Sequence, residues 1–166
     1  MNSPARPQQA DIDDADLTRW TCERLQQMSS VDWHRIMRLR QQVFVVEQQC
    51  IYADADAADE DAWHLCAWGP SSTPAACARI VDPGVKYEEP SIGRVSTRLD
   101  MRARGLGREL VARAIAHCGR LHPGHSIRIS AQLRLQRFYA AFGFMPVGET
   151  YLEDGMPHIE MLLTHA

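Results

Sequence analysis

The sequence predicts a domain of the α/β class with mixed strand directions, and three observations indicate this class. Segments with strand-like and helix-like spacing of apolar residues alternate along the 166 residues without an internal repeat. Two neighbouring strand-like segments are separated only by turn residues, which is typical of a hairpin. A glycine-rich turn joins a third strand-like segment directly to a helical one. The pattern therefore favours strands and helices in one layered domain.

The N-terminal half is predicted to hold a strand, a long helix and a hairpin. A short strand at residues 19–25 comes first, and Ser29 or Ser30 can cap the helix that follows. The helix runs to about Glu47 on the helical spacing of its apolar residues Val31, Ile36, Leu39, Val43 and Phe44. An acidic loop separates it from two hairpin strands, residues 64–68 and 75–81, which flank turn-forming glycine and proline residues.

The C-terminal half is predicted to alternate strands with two helices. Apolar residues mark a strand over residues 91–99 and, at helical spacing, a helix over residues 106–118. A further strand at residues 126–131 leads to a helix at residues 133–142, which Gly143 ends because glycine adopts the left-handed conformation common at helix C-termini. Two strands complete the prediction, at residues 146–152 and 158–163.

Length and composition bound the domain organisation and the cellular setting. A chain with 45% apolar and 23% charged residues can bury one sizeable core, which predicts a single domain over residues 18–166. Residues 1–17 are rich in Pro, Gln and Asp, and are expected to form a disordered lead without a signal-peptide core. The five cysteines are scattered and include no CxxC pair. These features predict a soluble cytoplasmic protein without membrane association, disulfides or bound metal.

The charge distribution points to an anionic ligand for the middle of the chain. The net charge is −3, yet residues 91–140 contain ten arginines against two acids. A basic segment in an acidic chain favours a polyanionic ligand there and leaves an acidic surface for a cationic one. Nucleic acid is disfavoured, because the arginines cluster around one glycine turn with little aromatic interleaving.

The basic turn itself has the chemistry of a phosphate site. Residues 102–107 read RARGLG, between a predicted strand and a predicted helix. The first amides of a helix lack intrahelical acceptors and lie at the positive end of the helix dipole, so they bind phosphate well. A dinucleotide fingerprint would need a glycine where Leu110 stands, and a P-loop would need Gly-Lys-Ser/Thr. A plain glycine-rich helix start with solvated arginines also fits the turn taken alone.

Several segments together resemble a known enzyme family. RARGLG (102–107) resembles the pyrophosphate loop of the GNAT acyl-CoA N-acyltransferases, and FYAAFGF (138–144) resembles their tyrosine and helix exit. With these, MRLRQQVFVVEQQCIYADADAADEDAWHLCAW (37–68), ARIVDPG (78–84), SIGRV (91–95) and YLEDGMPHIEM (151–161) resemble the bacterial ElaA proteins of that superfamily. The resemblance implies the GNAT fold, with a mixed and mostly antiparallel central sheet flanked by helices.

The resemblance also implies an activity and a cofactor site. It implies an N-acetyltransferase in which a primary amine, such as a small molecule or a peptide, directly attacks acetyl-CoA. It implies that Tyr139 protonates the departing thiolate and that a strand amide near Val95 stabilises the oxyanion. The positions implied for acetyl-CoA binding are Val95, Ser96, Thr97, Arg102, Ala103, Arg104, Gly105, Leu106, Gly107, Arg108 and Gln132. Tyr139 could instead be an ordinary packing residue on an amphipathic helix.

The general base stays open on the sequence alone. Many family members carry a glutamate on the strand before the pyrophosphate loop, whereas residues 91–97 read SIGRVST here and contain no carboxylate. Glu47, His64 and His158 are therefore candidate catalytic bases. Three loop or strand carboxylates are further candidates: Glu149, Glu153 and Asp154. Each of them could also be a solvated surface side chain.

Two clusters invite a metal assignment that the residues do not support. The acidic loop over residues 54–61 begins like an EF-hand, but Asp59 stands at the glycine position and Leu65 at the final glutamate position. We expect a solvated acidic loop, which could also attract a cationic amine. His117, Cys118, His122 and His125 lie where a helix should end, where cationic side chains complement the helix dipole without a metal.

Two other functions remain compatible with the sequence. LRQQVFVVEQ (39–48), the acidic stretch and His64-Leu65 resemble the N-terminal half of acyl-homoserine lactone synthases, which share the GNAT fold. The lack of a strand carboxylate is also compatible with a CoA-binding sensor or interaction module without turnover. Pairing of the sheet with a second copy in a homodimer is a further open prediction.

Overall fold

The computed structural model describes residue 17 and residues 19–164, and within them seven strands form one sheet. The strands are β1 (Arg19–Arg24), β2 (Trp63–Gly69), β3 (Thr73–Val81), β4 (Ser91–Thr97), β5 (Ile127–Gln132), β6 (Met145–Glu153) and β7 (Met156–Leu163). The predicted lead over residues 1–17 lies outside the described residues, except for Leu17, which packs half-buried against the core.

Four α-helices accompany the sheet in the described part of the chain. They are α1 (Ser30–Arg40), α2 (Ala58–Asp61), α3 (Leu106–Leu121) and α4 (Gln136–Ala140). Ser29 caps α1, because its hydroxyl accepts the Asp32 amide at 3.0 Å, and the helix continues as a π-helical segment over Gln41–Glu47. The helix predicted at residues 133–142 is shorter, since its first turn, Leu133–Leu135, is a 3-10 turn.

The sheet has the order β1-β2-β3-β4-β5-β7-β6. Adjacent strands are antiparallel except β4 and β5, which are parallel and pair at Ser91 and Arg128. The Arg128 amide also donates to the Pro90 carbonyl at 3.0 Å. The predicted mixed, mostly antiparallel sheet is confirmed. The parallel pair is short, so β4 and β5 are free to separate beyond it.

Two apolar clusters lie on opposite faces of the sheet. On one face, α3 buries Leu106, Leu110 and Val111 against alternate strand residues such as Ile129 and Met161. On the other face, α1 buries Ile36 and Leu39 against Cys66, Trp68 and Cys77 of β2 and β3. Because strand side chains alternate, β5 presents Arg128, Ser130 and Gln132 on the face that α1 occupies further along the sheet. This polar part of the sheet faces the candidate site.

The prediction of a solvated acidic loop was wrong for Asp54 and Asp59, which are buried, whereas Asp56, Glu60 and Asp61 are exposed. Asp54 and Asp59 are 4% and 3% exposed. Arg40, itself 1% exposed, binds Asp54 at 2.8 Å and Asp59 at 2.7 Å. We call Arg40, Asp54, Asp56, Asp59, Arg79 and Arg94 the charged clamp. A buried arginine requires counter-ions, so α1 and β3 draw the loop carboxylates into the interior.

The remaining predictions concern the cysteines, the histidines near the end of α3 and the lengths of the helices. All five cysteines are free thiols, and the described residues contain no group of three side chains that could hold a metal ion. His122 Nε2 lies 3.2 Å from Asp82 Oδ1 at the end of α3. No helix in the described ranges has the length and apolar character to cross a membrane.

Candidate functional site

A cleft opens where β4 and β5 separate after their single parallel pair. Its walls include Gly93, Arg94 and Val95 on β4 and Ser130, Ala131 and Gln132 on β5. The aromatic side chains on its walls are Phe44, Tyr52, Tyr87 and Tyr139. Such a gap at the only parallel junction of a sheet is a common place for ligand binding, because loops and helix ends converge there.

The β4 wall of the cleft contains a bulge. Gly93 pairs with Arg79 and Ser96 pairs with Cys77, so two β4 residues, Arg94 and Val95, face one β3 residue. Arg94 has φ +50°, which is unusual for a residue with a side chain. A bulge of this type removes backbone groups from the strand pairing. It therefore exposes main-chain hydrogen-bonding capacity next to the cleft.

The charged clamp holds the bulge residue in place. Arg94 Nε lies 2.8 Å from Asp54 Oδ1, and its Nη2 lies 3.2 Å from Asp56 Oδ2. Its guanidinium also stacks 5.5 Å from the Tyr52 ring centroid. Arg79 joins the same carboxylates, at 2.6 Å from Asp56 and 2.9 Å from Asp59. The acidic loop thus stabilises the unusual backbone of β4.

The glycine turn before α3 has the geometry of an anion site. Gly105 precedes the helix with φ +85° and offers no side-chain cap. The Leu106 and Gly107 amides lie in the first turn, where a helix supplies no acceptor four residues earlier. A Cβ atom at Gly107 would lie 3.6 Å from Thr97 Oγ1, so the missing side chain leaves space between the helix start and the end of β4.

The arginines of the turn make contacts within the protein. Arg102 donates through Nε to the Thr97 carbonyl at 3.0 Å and through Nη2 to Glu47 at 2.7 Å. Arg108 stacks 5.3 Å from the centroid of the Phe142 ring. Arg104 Nη1 lies 3.7 Å from Met101 Sδ. Arg102 therefore links the turn to β4 and to the end of the π-helical segment.

Of the remaining positions expected to bind the cofactor, Val95 and Gln132 line the cleft, whereas Ser96 is buried. Gln132 lies at the end of β5, and its Nε2 donates to Gln48 Oε1 at 3.0 Å. Ser96 Oγ lies 3.1 Å from Cys77 Sγ beside the bulge. Val95, Ser96 and Thr97 form the last part of β4, Gln132 ends β5, and the glycine turn follows β4 before α3.

Tyr139 lies on the cleft wall with its ring in the core. The residue is 7% exposed, and its ring makes edge contacts with Phe138 and Phe144. Desolvation raises the pKa of Tyr139 to about 12. In the described part of the chain, its hydroxyl has no hydrogen-bond partner. The phenol therefore stays protonated at neutral pH and is free to donate.

Two of the three candidate bases do not line the cleft. Glu47 forms the ion pair with Arg102. His64 is 2% exposed in β2, and its Nε2–H donates to the Asp59 carbonyl at 3.0 Å. Desolvation lowers the pKa of His64. It supports the charged clamp from within the core, because β2 places it under α1 and away from the cleft.

His158 does line the cleft, together with Glu153 and Asp154. His158 Nδ1 lies 2.9 Å from the Met156 carbonyl, which can only accept, so the proton is on Nδ1. The lone pair of the neutral ring is then on Nε2. Glu149 is exposed on β6 and is not part of the cleft wall.

Several residues at this end of the cleft were not predicted from the sequence. Ser130 Oγ donates to Glu153 Oε2 at 2.8 Å, and the Tyr151 hydroxyl lies 2.6 Å from Ser130 Oγ. Lys86 and Tyr87, from the connection between β3 and β4, line the same end. The alternation in IRISAQ (127–132) could have placed Ser130 on the polar face. Its contact with β6 depends on strand pairing and could not be read from the sequence.

Comparison with known proteins agrees with this geometry. Residues 72–165 match the family model of the acetyltransferase (GNAT) domain. A UPF0039 protein of Synechocystis is 43% identical over 86% of this chain and 93% of its own length. The ElaA protein of Escherichia coli is 37% identical over 81% of this chain and 89% of its own.

Solved structures extend the likeness to the fold. An acyl-CoA N-acyltransferase from Pseudomonas aeruginosa superposes with a TM-score of 0.84 at 37% identity, over 88% of this chain and 99% of that one. The crystal structure of E. coli ElaA gives 0.81 at 35% identity, over 87% and 98%. A CoA-dependent acyl-homoserine lactone synthase, BjaI, gives 0.71 over 91% and 84%, but at 14% identity it shares the fold alone.

The fold and family implied by RARGLG and FYAAFGF are thereby confirmed. The chain belongs to the GNAT acetyltransferase family, is homologous to the ElaA proteins within it, and is a GNAT-type acyltransferase.

Proposed function

We propose that this acyltransferase transfers the acetyl group of acetyl-CoA to a primary amine without a covalent enzyme intermediate. The observation that carries the proposal is the pairing of two walls of one cleft. One wall has the bulge at Arg94 and Val95, and the other has the protonated hydroxyl of Tyr139. A thioester between them would have a hydrogen-bond donor for its carbonyl and a proton donor for its sulfur.

The residues present fit an acyl-CoA. The separation of β4 and β5 offers strand edges to an amide-bearing pantetheine arm. The first amides of α3 suit its pyrophosphate, and the gap at Gly107 allows close approach of main chain to phosphate. Arg102, Arg104 and Arg108 add positive charge around the turn. These features support acyl-CoA binding along β4 from Val95 to the start of α3.

The chemical step needs only groups on the cleft walls. The amine nitrogen forms a bond to the thioester carbon, and the Val95 amide donates to the oxyanion that develops. The carbon–sulfur bond then breaks as the oxyanion collapses, Tyr139 gives its proton to the thiolate, and the proton that the new amide nitrogen loses returns to the tyrosinate through water. The raised pKa of Tyr139 makes its phenol a weaker acid than the thiol of CoA, but it keeps the proton on the phenol at neutral pH.

His158 is the base that the geometry favours. Its Nδ1–H is held by the Met156 carbonyl, which leaves Nε2 to take a proton from the acceptor ammonium, directly or through water. Glu47 has Arg102 as its ion-pair partner and His64 is enclosed in the core. His158 is therefore the proposed base among the three histidine and glutamate candidates.

Calorimetric titration with acetyl-CoA tests the cofactor, with ATP and NAD as anionic controls. We expect selective binding of acetyl-CoA, followed by release of free CoA when a panel of primary amines is added. Equal binding of all three ligands would contradict the pyrophosphate site. Selective binding without transfer to any amine would contradict the catalytic proposal and favour a CoA-binding module.

A further inference from the structure

Glu153 lines the cleft, and its partners differ from those of two other partly buried carboxylates, Glu89 and Glu160. Its Oε2 accepts from Ser130 at 2.8 Å and lies 3.3 Å from the Tyr151 hydroxyl. Within residues 19–164 it has no ion-pair partner. Glu89 and Glu160, by contrast, both pair with Arg128 at 2.8 Å. Glu153 is thus a carboxylate fixed by two hydroxyls whose charge is not neutralised by a bonded cation.

The cationic side chains near the cleft do not form ion pairs with Glu153. Arg79 and Arg94 belong to the charged clamp and are bound to its aspartates. Arg134 donates to the Gln132 side chain at 2.9 Å. Lys86 is exposed, with its Nζ 5.3 Å from the Tyr87 ring centroid, and acts on Glu153 only at a distance. A cation that enters this end of the cleft would find one fixed carboxylate.

Aromatic rings and His158 complete the surroundings of this carboxylate. Tyr151 is directly opposite His158 in the pairing of β6 and β7, and their ring centroids are 6.1 Å apart. Tyr87 lines the same end of the cleft. The faces of tyrosine rings attract cations, so the rings and the carboxylate both favour a cationic ligand.

From this geometry we infer that Glu153, held by Ser130 and Tyr151, binds the ammonium group of the acceptor, and that the acceptor is a basic alkylamine that arrives as a cation. The inference rests on the proposed function, because it assigns the acceptor side of the same cleft. Glu153 binds the ammonium and His158 Nε2 takes its proton, which leaves the neutral amine to attack the thioester.

The protonation state of Glu153 agrees with this role. Desolvation by itself would raise the pKa of Glu153, but the hydrogen bonds from Ser130 and Tyr151 and the charge of Lys86 bring it below its ordinary value. The carboxyl group is therefore ionised at neutral pH. An ionised group with this low proton affinity is a poor base and a good cation ligand, which separates its role from that of His158.

The test measures binding and transfer in parallel. Butylammonium and benzylammonium are titrated into the full chain and followed by NMR, with butanol and benzyl alcohol as neutral ligands of the same shape. The variant Glu153→Gln keeps the shape and can still accept from Ser130. Glu88→Gln removes an exposed carboxylate of the β3–β4 connection and serves as the matched control.

We expect the wild type and Glu88→Gln to bind the ammonium ions more tightly than the alcohols. Glu153→Gln should weaken ammonium binding about 10- to 100-fold, the usual effect of removing a hydrogen bond to a charged group, with no change for the alcohols. Equal affinities of an ammonium ion and its alcohol in the wild type, or an unchanged preference in Glu153→Gln, would overturn the inference.

Acetyl transfer to the same two amines separates the inference from the proposed function. Glu153-dependent ammonium binding without any acetylation would support the ammonium site and contradict the transferase proposal. If Glu153→Gln acetylates the amines with the KM of the wild type, the transferase proposal is supported and the ammonium site at Glu153 is contradicted. If both the ammonium site and the acetyl transfer are present, Glu153→Gln should raise the KM for the amine and leave the affinity for acetyl-CoA unaltered.

Discussion

The proposed cofactor side and the proposed acceptor side of the cleft are built in different ways. The cofactor side uses main-chain groups of consecutive residues, in the β4 bulge and the first turn of α3. The acceptor side uses side chains from three strands, such as Ser130, Glu153 and His158. Backbone donors recognise a phosphate or an amide regardless of side chains, whereas side chains set the charge and shape of the acceptor. The difference explains how one fold can keep a cofactor while the amine changes.

The charged clamp connects the two sides. It uses the same chemical group as the acceptor site, a carboxylate, but each of its aspartates contacts two arginines. Its charges are satisfied internally and its role is structural, since it holds Arg94 at the bulge. Among the described residues, Glu153 has only hydroxyl partners. On this proposal, the partners of a carboxylate, more than its burial, separate a structural group from a binding one.

The largest expected effect is at Tyr139, where the two sides meet. Tyr139→Phe removes the proton donor but keeps the ring, so we expect kcat to fall about 100-fold or more. Acetyl-CoA affinity should stay close to that of the wild type, because the ring packing is retained. Steady-state kinetics and calorimetry measure the two quantities. Equal turnover in the variant would remove the tyrosine from the mechanism.

The next effect concerns stability and tests the structural role of the clamp. Asp59→Asn leaves Arg40 and Arg79 buried with one carboxylate fewer, and we expect the free energy of unfolding to fall by about 3–5 kcal/mol. Urea denaturation measures the loss. Asp61→Asn is the matched control, because this residue is exposed on the same helix, α2. Similar stability of the two variants would show that the clamp is dispensable.

A smaller effect is expected on the cofactor side alone. Gly107→Val places methyl groups beyond a Cβ that already contacts Thr97, and should weaken acetyl-CoA binding about 10- to 100-fold by removing a charged hydrogen-bond contact. Ammonium binding should be unaffected. Gly107→Ala is the control, since a Cβ at 3.6 Å from Thr97 Oγ1 makes an ordinary contact. Unchanged affinity in the valine variant would place the pyrophosphate elsewhere.

The smallest expected effect is the acid sensitivity of the clamp. Desolvation by itself would raise the pKa of Asp59, but the hydrogen bond and charge of Arg40 and the charge of Arg79 lower it from 3.8 to about 2. Because the folded-state pKa lies below the unfolded one, this contribution is complete above about pH 4 and is lost as the pH falls through about 2. The loss amounts to about 2 kcal/mol. Urea denaturation between these pH values should show a shallower decline for Asp59→Asn than for the wild type.

The sequence predicted the order of strands and helices well, and specific features explain where it failed. Apolar runs bounded by turn residues located β2 and β3, which are buried on both faces, and the spacing of apolar residues located β4 and α3. The helix predicted at residues 133–142 begins as a 3-10 turn, a local geometry that apolar spacing does not distinguish. The acidic loop was predicted as solvated because its partners, Arg40 and Arg79, are distant in the chain.

The sequence by itself determined the proposed cofactor side. The glycine turn at residues 102–107 and Tyr139 could be located from their motifs, because a helix start and its preceding turn are local in the chain. The tertiary structure alone decided the acceptor side. It selected His158 over Glu47 and His64 as the proposed base, and it brought Glu153 to Ser130, 23 residues earlier. Such contacts arise from strand pairing and from the need of buried charged groups for ionic or hydrogen-bonding partners. Neither is encoded in any short segment.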